Sequence, residues 1–292
     1  MPNKEILKQL PDLYAILDSA DIPETERNLR KTRIQQAAEL TEDDDCIHCA
    51  DLFFQRAHEI ESLSFLSGFG AVHMSCDSQH EEGTDFVLND DYYIECICAS
   101  LGDTEKTGLG RFMVKNQIVD YNEKRRLMNA RLTNSLCSKV DFYKKRCGKS
   151  IPSEKPYIIF LSPGRLVWEW FEEEYGMALN DVLFGRGQPT ITIDYKAEKI
   201  IANGYAHVDT FKKYNEADLN SNLFCDPQFE CVSGILLATE VDERYTTDNT
   251  FLFLNPFAKA KIDPSVFQGI VYWDIAKENE YGPWQNGISL AR

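Results

Sequence analysis

Apolar residues recur at steps of three and four over residues 4–18 (Ile6, Leu7, Leu10, Leu13, Tyr14 and Leu17), and this spacing predicts an amphipathic helix. Pro23, Glu24 and Thr25 interrupt it, and a second helix is expected over 27–40. After the acidic run Glu42-Asp-Asp-Asp45 a third helical period covers 49–66, with Leu52, Phe53, Ile60, Leu63 and Leu66 as apolar positions and Gly68 and Gly70 as its stop. The period then changes. Residues 71–74, 84–88 and 92–98 read as short strands, the last two joined by Asn89-Asp-Asp91 in a hairpin. A helix over 122–146 and the apolar run Tyr157-Ile-Ile-Phe-Leu161 follow, giving the order strand, strand, helix, strand. Farther on, 166–179 reads as helix, and 190–193, 234–237, 251–254 and 269–273 read as strands. The pattern predicts an α/β chain: a helical arm over 1–45, then one domain over 46–292 with a mixed central sheet flanked by helices and a C-terminal extension.

With 292 residues, 43% of them apolar, the chain is long enough to bury a large core. Its apolar runs are strand-sized, so no membrane span is expected. The N-terminus carries charge every few residues, which argues against a secretory signal. Nine cysteines are too sparse and too odd in number for a disulfide scaffold, so reduced thiols and a cytoplasmic setting are expected. The formal charge of −16 repels nucleic acid and anionic membrane at long range. Only a local surface could reverse that, and 124–149 supplies one: Lys124, Arg125, Arg126, Arg131, Lys139, Lys144, Lys145, Arg146 and Lys149 against the single acid Asp141. On charge alone this run fits a solvated helix face equally well.

The hairpin carries the chemistry. If Asn89 to Asp91 form a three-residue turn, Leu88 pairs with Tyr92 and three steps back Asp85 stands opposite Glu95. Their Cβ atoms would lie about 5 Å apart, and two like charges so opposed call for a hard divalent cation or a basic group between them. A two-residue turn would shift the register and remove the opposition. On the preceding helix Glu59, three residues after Arg56 and four after Gln55, is the better candidate for a third oxygen ligand, with Glu61 as its neighbour.

These segments together resemble the restriction-endonuclease-like PD-(D/E)XK nuclease superfamily. The resemblance runs through Arg56-x-x-Glu59, Gly83-Thr-Asp-Phe86, Tyr93-Ile-Glu-Cys96, Arg131-Leu-Thr-Asn-Ser135 with Lys139, and Lys155-Pro-Tyr-Ile-Ile-Phe160, covering about residues 50–162. Phe251-Leu-Phe-Leu-Asn-Pro-Phe-Ala258 is also similar to an Asn-Pro-x-Ala segment of some bacterial members. The resemblance implies a restriction-endonuclease-like sheet and a nuclease site in which Asp85, Glu95 and Glu59 hold Mg²⁺ or Mn²⁺, with help from the Cys96 carbonyl. Two positions depart from the pattern. Thr84 stands where the motif has proline, and Ile97 where it has the lysine that attends the attacking water. Lys139 is expected to replace that lysine, since Arg131, Ser135 and Lys139 fall at steps of four on one helix face. Arg131, Ser135, Lys144, Lys145 and Arg146 are then the expected contacts to nucleic acid, DNA in the first place. The alternative is an inactive module on the same scaffold that binds nucleic acid or a protein partner.

Other constellations are weaker. Cys46-Ile-His-Cys49 has metal-ligand spacing but no second pair at finger spacing. The loop from Gly102 to Gly110 lacks the Gly-Lys-Ser/Thr end of a phosphate loop and reads as a flap beside the hairpin.

Overall fold

A computed structural model describes residues 3–40, 47–74, 83–100, 102, 121–147, 151–162, 164, 179–208, 210–213, 215, 217–239, 244–273 and 288–289. Helices α1 (Asn3–Ser19), α2 (Glu24–Leu40) and α3 (Ile47–Ser67) come first, followed by strands β1 (Val72–Met74), β2 (Phe86–Leu88) and β3 (Tyr92–Cys98). Helix α4 (Tyr121–Arg146) leads to β4 (Tyr157–Ser162). Two ribbons follow, β5 (Arg186–Asp194) with β6 (Lys199–His207) and β7 (Thr210–Lys212) with β8 (Asp218–Asn220). The chain then returns to the main sheet as β9 (Gly234–Ala238), β10 (Thr250–Leu254), β11 (Val271–Trp273) and β12 (Ile288–Ser289).

The main sheet is mixed: seven strands in the order β1-β2-β3-β4-β9-β10-β11, lengthened at the far edge by the two-residue β12. β3, β4 and β9 run parallel, and the pairs on either side of them are antiparallel. β4 lies between two parallel neighbours and is buried at all six positions, which is why Tyr157-Ile-Ile-Phe-Leu161 is apolar without alternation. The strands around it sort their side chains by parity. Ile94, Cys96, Ile158 and Phe160 join one core with Leu13, Leu17, Ile34, Phe53 and Leu63 of the first three helices. Ile97, Ala99, Tyr157, Ile159 and Leu161 join another with Leu132, Leu136, Val140 and Tyr143 of α4. The arm expected over 1–45 is thus packed into the layer that covers one face of the sheet. Among the described residues no helix is long and apolar enough to cross a membrane.

The hairpin turns as its sequence predicts. Asn89 and Asp90 adopt left-handed backbone (φ 54° and 60°), a conformation that short polar side chains tolerate, and Leu88 pairs with Tyr92. Asn89 also accepts a hydrogen bond from the Ala71 amide at 3.0 Å and approaches Gly70 so closely that a Cβ there would lie 1.9 Å from its Oδ1. Asp91 is ion-paired with Lys155, which fixes the turn against the start of β4.

Two elements differ from expectation. β2 is three residues long and does not reach back to Thr84, because the Thr84 hydroxyl donates to the Phe86 carbonyl and closes the strand. The second arm of the long ribbon, β6, was not expected, and it carries Asn203 and Gly204, residue types that strands disfavour. The helix expected over 166–179 and most of the expected flap, 103–110, lie outside the described residues, as does Cys46.

Candidate active site

Asp85 is one residue before β2, and the pairings Leu88 with Tyr92, Val87 with Tyr93 and Phe86 with Ile94, continued by one step, set Asp85 level with Glu95. Parity sends Glu95 to the α4 face, with Ile97 and Ala99. There Lys139 Nζ sits 2.5 Å from Glu95 Oε1. Glu95 is only 4% exposed, and its Oε2 is buried with no hydrogen-bond partner among the described residues. Asp85 turns one oxygen back onto the sheet: Oδ2 accepts the Cys96 amide at 2.7 Å. It occupies the rung that residue 84 would fill had β2 continued.

Charge in this space does not balance by itself. Burial pushes the Glu95 carboxyl up, to about 8, and the Asp85 charge pushes the same way while Lys139 pulls back. Asp85 is pushed up to about 6 by burial and by the nearby charge of Glu59, against Lys139, the Cys96 amide and Arg30. Burial works against the Lys139 ammonium, yet Glu95 and Asp85 outweigh it and raise its pKa. Lys139, with the Arg30 guanidinium acting on Asp85 and that of Arg146 on Glu95, does not offset burial, so both carboxyls are pushed toward the protonated form and a proton or a bound cation would relieve them.

Glu59 reaches the same region from α3, on the far side of the sheet edge. Its Oε1 accepts from Arg56 Nη1 at 2.9 Å and Gln55 Nε2 at 3.1 Å, and its Oε2 from Arg56 Nη1 at 3.0 Å, with Arg30 Nη1 at 3.5 Å. Glu59 is therefore matched by two guanidinium groups. Arg30 belongs to α2. It also donates to Glu26 at 2.9 Å and lies over the Phe86 ring at 5.6 Å, tying the second helix to the hairpin. Gln55 donates weakly to the Cys96 carbonyl at 3.4 Å and accepts the Cys98 amide at 2.7 Å.

Of the residues expected to meet nucleic acid, Arg131 is turned to the end of β3, where Nε donates to the Ser100 carbonyl at 2.9 Å and Nη2 to the Ser100 hydroxyl at 3.0 Å. Ser135 is half-buried between Arg131 and Lys139 on the same face, so α4 runs antiparallel to β3 along this line. Lys144 is exposed and donates to Gln228 at 2.8 Å; Lys145 is exposed. Arg146 lies on the Phe142 ring, 3.4 Å from its centre. Nearer the start of α4, Arg125 forms a bidentate pair with Asp181 at 2.7 Å, and Arg126 donates to the carbonyls of Lys212 and Lys213. Much of the basic run thus braces α4 against its neighbours.

The Asn-Pro-x-Ala segment does not reach this site through Asn255. That side chain donates to the carbonyls of Phe229 and Val232 and accepts the Phe257 amide, stapling the end of β10 to the turn before β9. Gln55 and Arg30 escaped the sequence reading. Their partners are 41 and 29 residues away, and only the i, i+4 spacing of Gln55 and Glu59 on one helix hinted at the first.

Asp85, Glu95 and the Cys96 carbonyl form a set of hard oxygen donors, and the unpartnered Glu95 Oε2 is the kind of group that a small divalent cation satisfies. Among the described residues no cluster of three His, Cys, Asp or Glu side chains is arranged to hold a metal ion. A cation here would draw on two carboxylates, backbone and water, as Mg²⁺ commonly does. The chain matches no family model, no curated protein and no solved structure.

Proposed function

We propose that the protein is a Mg²⁺- or Mn²⁺-dependent nuclease that hydrolyses phosphodiester bonds of nucleic acid, with a site similar to that of the PD-(D/E)XK superfamily. The observation that carries the reading is the meeting of three side chains at the end of the hairpin: Glu95 with Lys139 Nζ 2.5 Å away, and Asp85 held on the amide of the next residue, Cys96, at 2.7 Å. An arrangement of two carboxylates and one ammonium at a sheet edge suits phosphoryl chemistry, which needs positive charge set in place before the reaction begins.

Asp85 and Glu95 would hold the cation, with the Cys96 carbonyl beside them. When bound, such a cation lowers the pKa of water and polarises a phosphodiester oxygen. Lys139 has the part that Ile97 cannot play. Its raised pKa keeps the ammonium charged, and from α4 it presents that charge beside Glu95 to the phosphate oxygens as negative charge develops on them. The Cys96 amide holds Asp85 in one rotamer, so the carboxylate is oriented before any ligand arrives. The exposed Lys144 and Lys145, in the last turn of α4, would meet the backbone of the substrate.

The test is cleavage of supercoiled plasmid and of single-stranded DNA and RNA in Mg²⁺ or Mn²⁺. We expect cleavage by the wild-type chain and a loss of at least about 100-fold in Asp85→Ala and Glu95→Gln with folding retained. Intact substrate in both metals would reject the nuclease. One observation favours a second reading, an inactive module that binds nucleic acid or a protein partner: Glu95 already has Lys139, and Asp85 already has the Cys96 amide. That reading expects binding without cleavage, unchanged in both variants.

A further inference from the structure

We infer that Gln55 is a positioning residue, whose carboxamide takes the place of a missing strand at the outer edge of β3 and so fixes the Cys96 carbonyl for the cation site. The inference rests on the reading of Asp85 and Glu95 as cation ligands.

β2 stops at Phe86, opposite Ile94, so among the described residues the outer edge of β3 has no strand neighbour from Glu95 onward. Along an antiparallel edge the outward groups come in pairs, an amide and a carbonyl from every second residue. At this edge the first three are the Cys96 amide, the Cys96 carbonyl and the Cys98 amide. Left open they would bond to water or to another strand. All three are taken by side chains. Asp85 Oδ2 accepts the first at 2.7 Å, Gln55 Nε2 meets the second at 3.4 Å, and Gln55 Oε1 accepts the third at 2.7 Å. A primary amide suits the position because it carries a donor and an acceptor side by side, which neither a carboxylate nor an ammonium offers.

The contact to Cys96 is long, and a carbonyl has two lone pairs, so one remains for an ion. The firm anchors are the Cys98 amide and Glu59 Oε1, the latter 3.1 Å from Gln55 Nε2. Glu59 is itself held by Arg56 and Arg30. Gln55 therefore links a rigid charged cluster on the helical layer to the carbonyl of Cys96, the residue whose amide holds Asp85 and which follows Glu95 in the chain. Replacing it would leave both carboxylates in place and loosen the third donor.

The test uses the full chain with Gln55→Met, which keeps the length and removes both hydrogen-bonding groups, and Gln55→Asn, which keeps the amide but falls one methylene short. Mn²⁺ affinity is measured by calorimetry, exchange of the Cys98 amide by NMR, and cleavage kinetics separately. We expect Mn²⁺ affinity to fall about tenfold or more in both variants. The Cys98 amide should exchange faster, and kcat should drop while KM for nucleic acid holds. Unchanged Mn²⁺ affinity in a folded variant would overturn the inference even if thermal stability fell, because Gln55 would then serve only to cap the edge. Loss of folding in both variants would overturn it in the same sense. A wild-type chain that binds no Mn²⁺ would reject the cation site itself, a failure visible before any Gln55 variant is made.

Discussion

Lys139 is the residue on which the electrostatics of the site turn. Removing it as Lys139→Met leaves Glu95 buried beside Asp85 with no ammonium in reach, and we expect a loss of roughly 2–3 kcal/mol at neutral pH in urea unfolding. The loss should depend on pH in a definite direction. Without Lys139 the folded-state pKa of Glu95 rises above its already raised value, so the folded variant holds a proton that the unfolded chain has given up. Stability then declines as pH rises beyond the unfolded carboxyl range, and the deficit against wild type should be smaller at pH 5 than at pH 8. An equal deficit at both would show that Lys139 acts through packing on Phe142 alone. The position of Lys139 was legible in the sequence because a helix face repeats every four residues. Its contact with Glu95 was not legible in the same way, because strand parity puts Glu95 on one face of the sheet without saying which helix covers that face. Gln55 was not legible: nothing in Phe54-Gln-Arg-Ala marks a residue that completes a strand edge.

Among the elements, the hairpin and α4 were readable for local reasons. Three turn residues fix a register, and counting back along it from Leu88 and Tyr92 sets Asp85 level with Glu95 without help from any tertiary contact. The parallel run β3-β4-β9 and the two ribbons depend on contacts between distant segments, and single-strand patterns carry no sign of which neighbours a strand takes. Helix α2 had the least informative pattern of all. Its connection to the site is one buried side chain, Arg30, 9% exposed, held between Glu26 and Glu59. We expect Arg30→Met to cost about 2 kcal/mol, less than breaking an isolated buried pair because Arg56 still covers Glu59. Chemical denaturation checks this. If stability is unchanged, α2 is held by Ile34, Ala37 and Ala38 alone.

For the molecule as a whole, acid resistance is set in part by His58, which joins α3 to β4 and to the 244–249 segment. Its Nε2–H donates to the Phe160 carbonyl at 2.8 Å, and its Nδ1 accepts the Tyr245 hydroxyl at 2.8 Å. Burial pushes the ring down to about 4; the Phe160 carbonyl and Glu59 oppose that, and the charge of Lys139 adds to it. In the unfolded chain the ring titrates near 6.5, so between these values the unfolded state binds more protons. The contribution is complete above pH 6.5 and is lost as pH falls toward 4, about 3 kcal/mol in all. His58→Gln should flatten the stability curve over that range relative to wild type; parallel curves would exclude the ring as the acid-labile joint.

The opposed carboxylates have a thermodynamic corollary. A fold that keeps Asp85 and Glu95 close together in a buried space, where each carboxyl is pushed toward its protonated form, gives up some of its own robustness to do so. Asp85→Asn would still offer an oxygen to the Cys96 amide and would turn an NH₂ group toward Glu95. This variant should melt higher than wild type by roughly 2 °C or more in metal-free buffer and respond no further to added Mg²⁺, whereas wild type should be the form that Mg²⁺ protects. A sequence selected for durability alone would have settled on asparagine at this position.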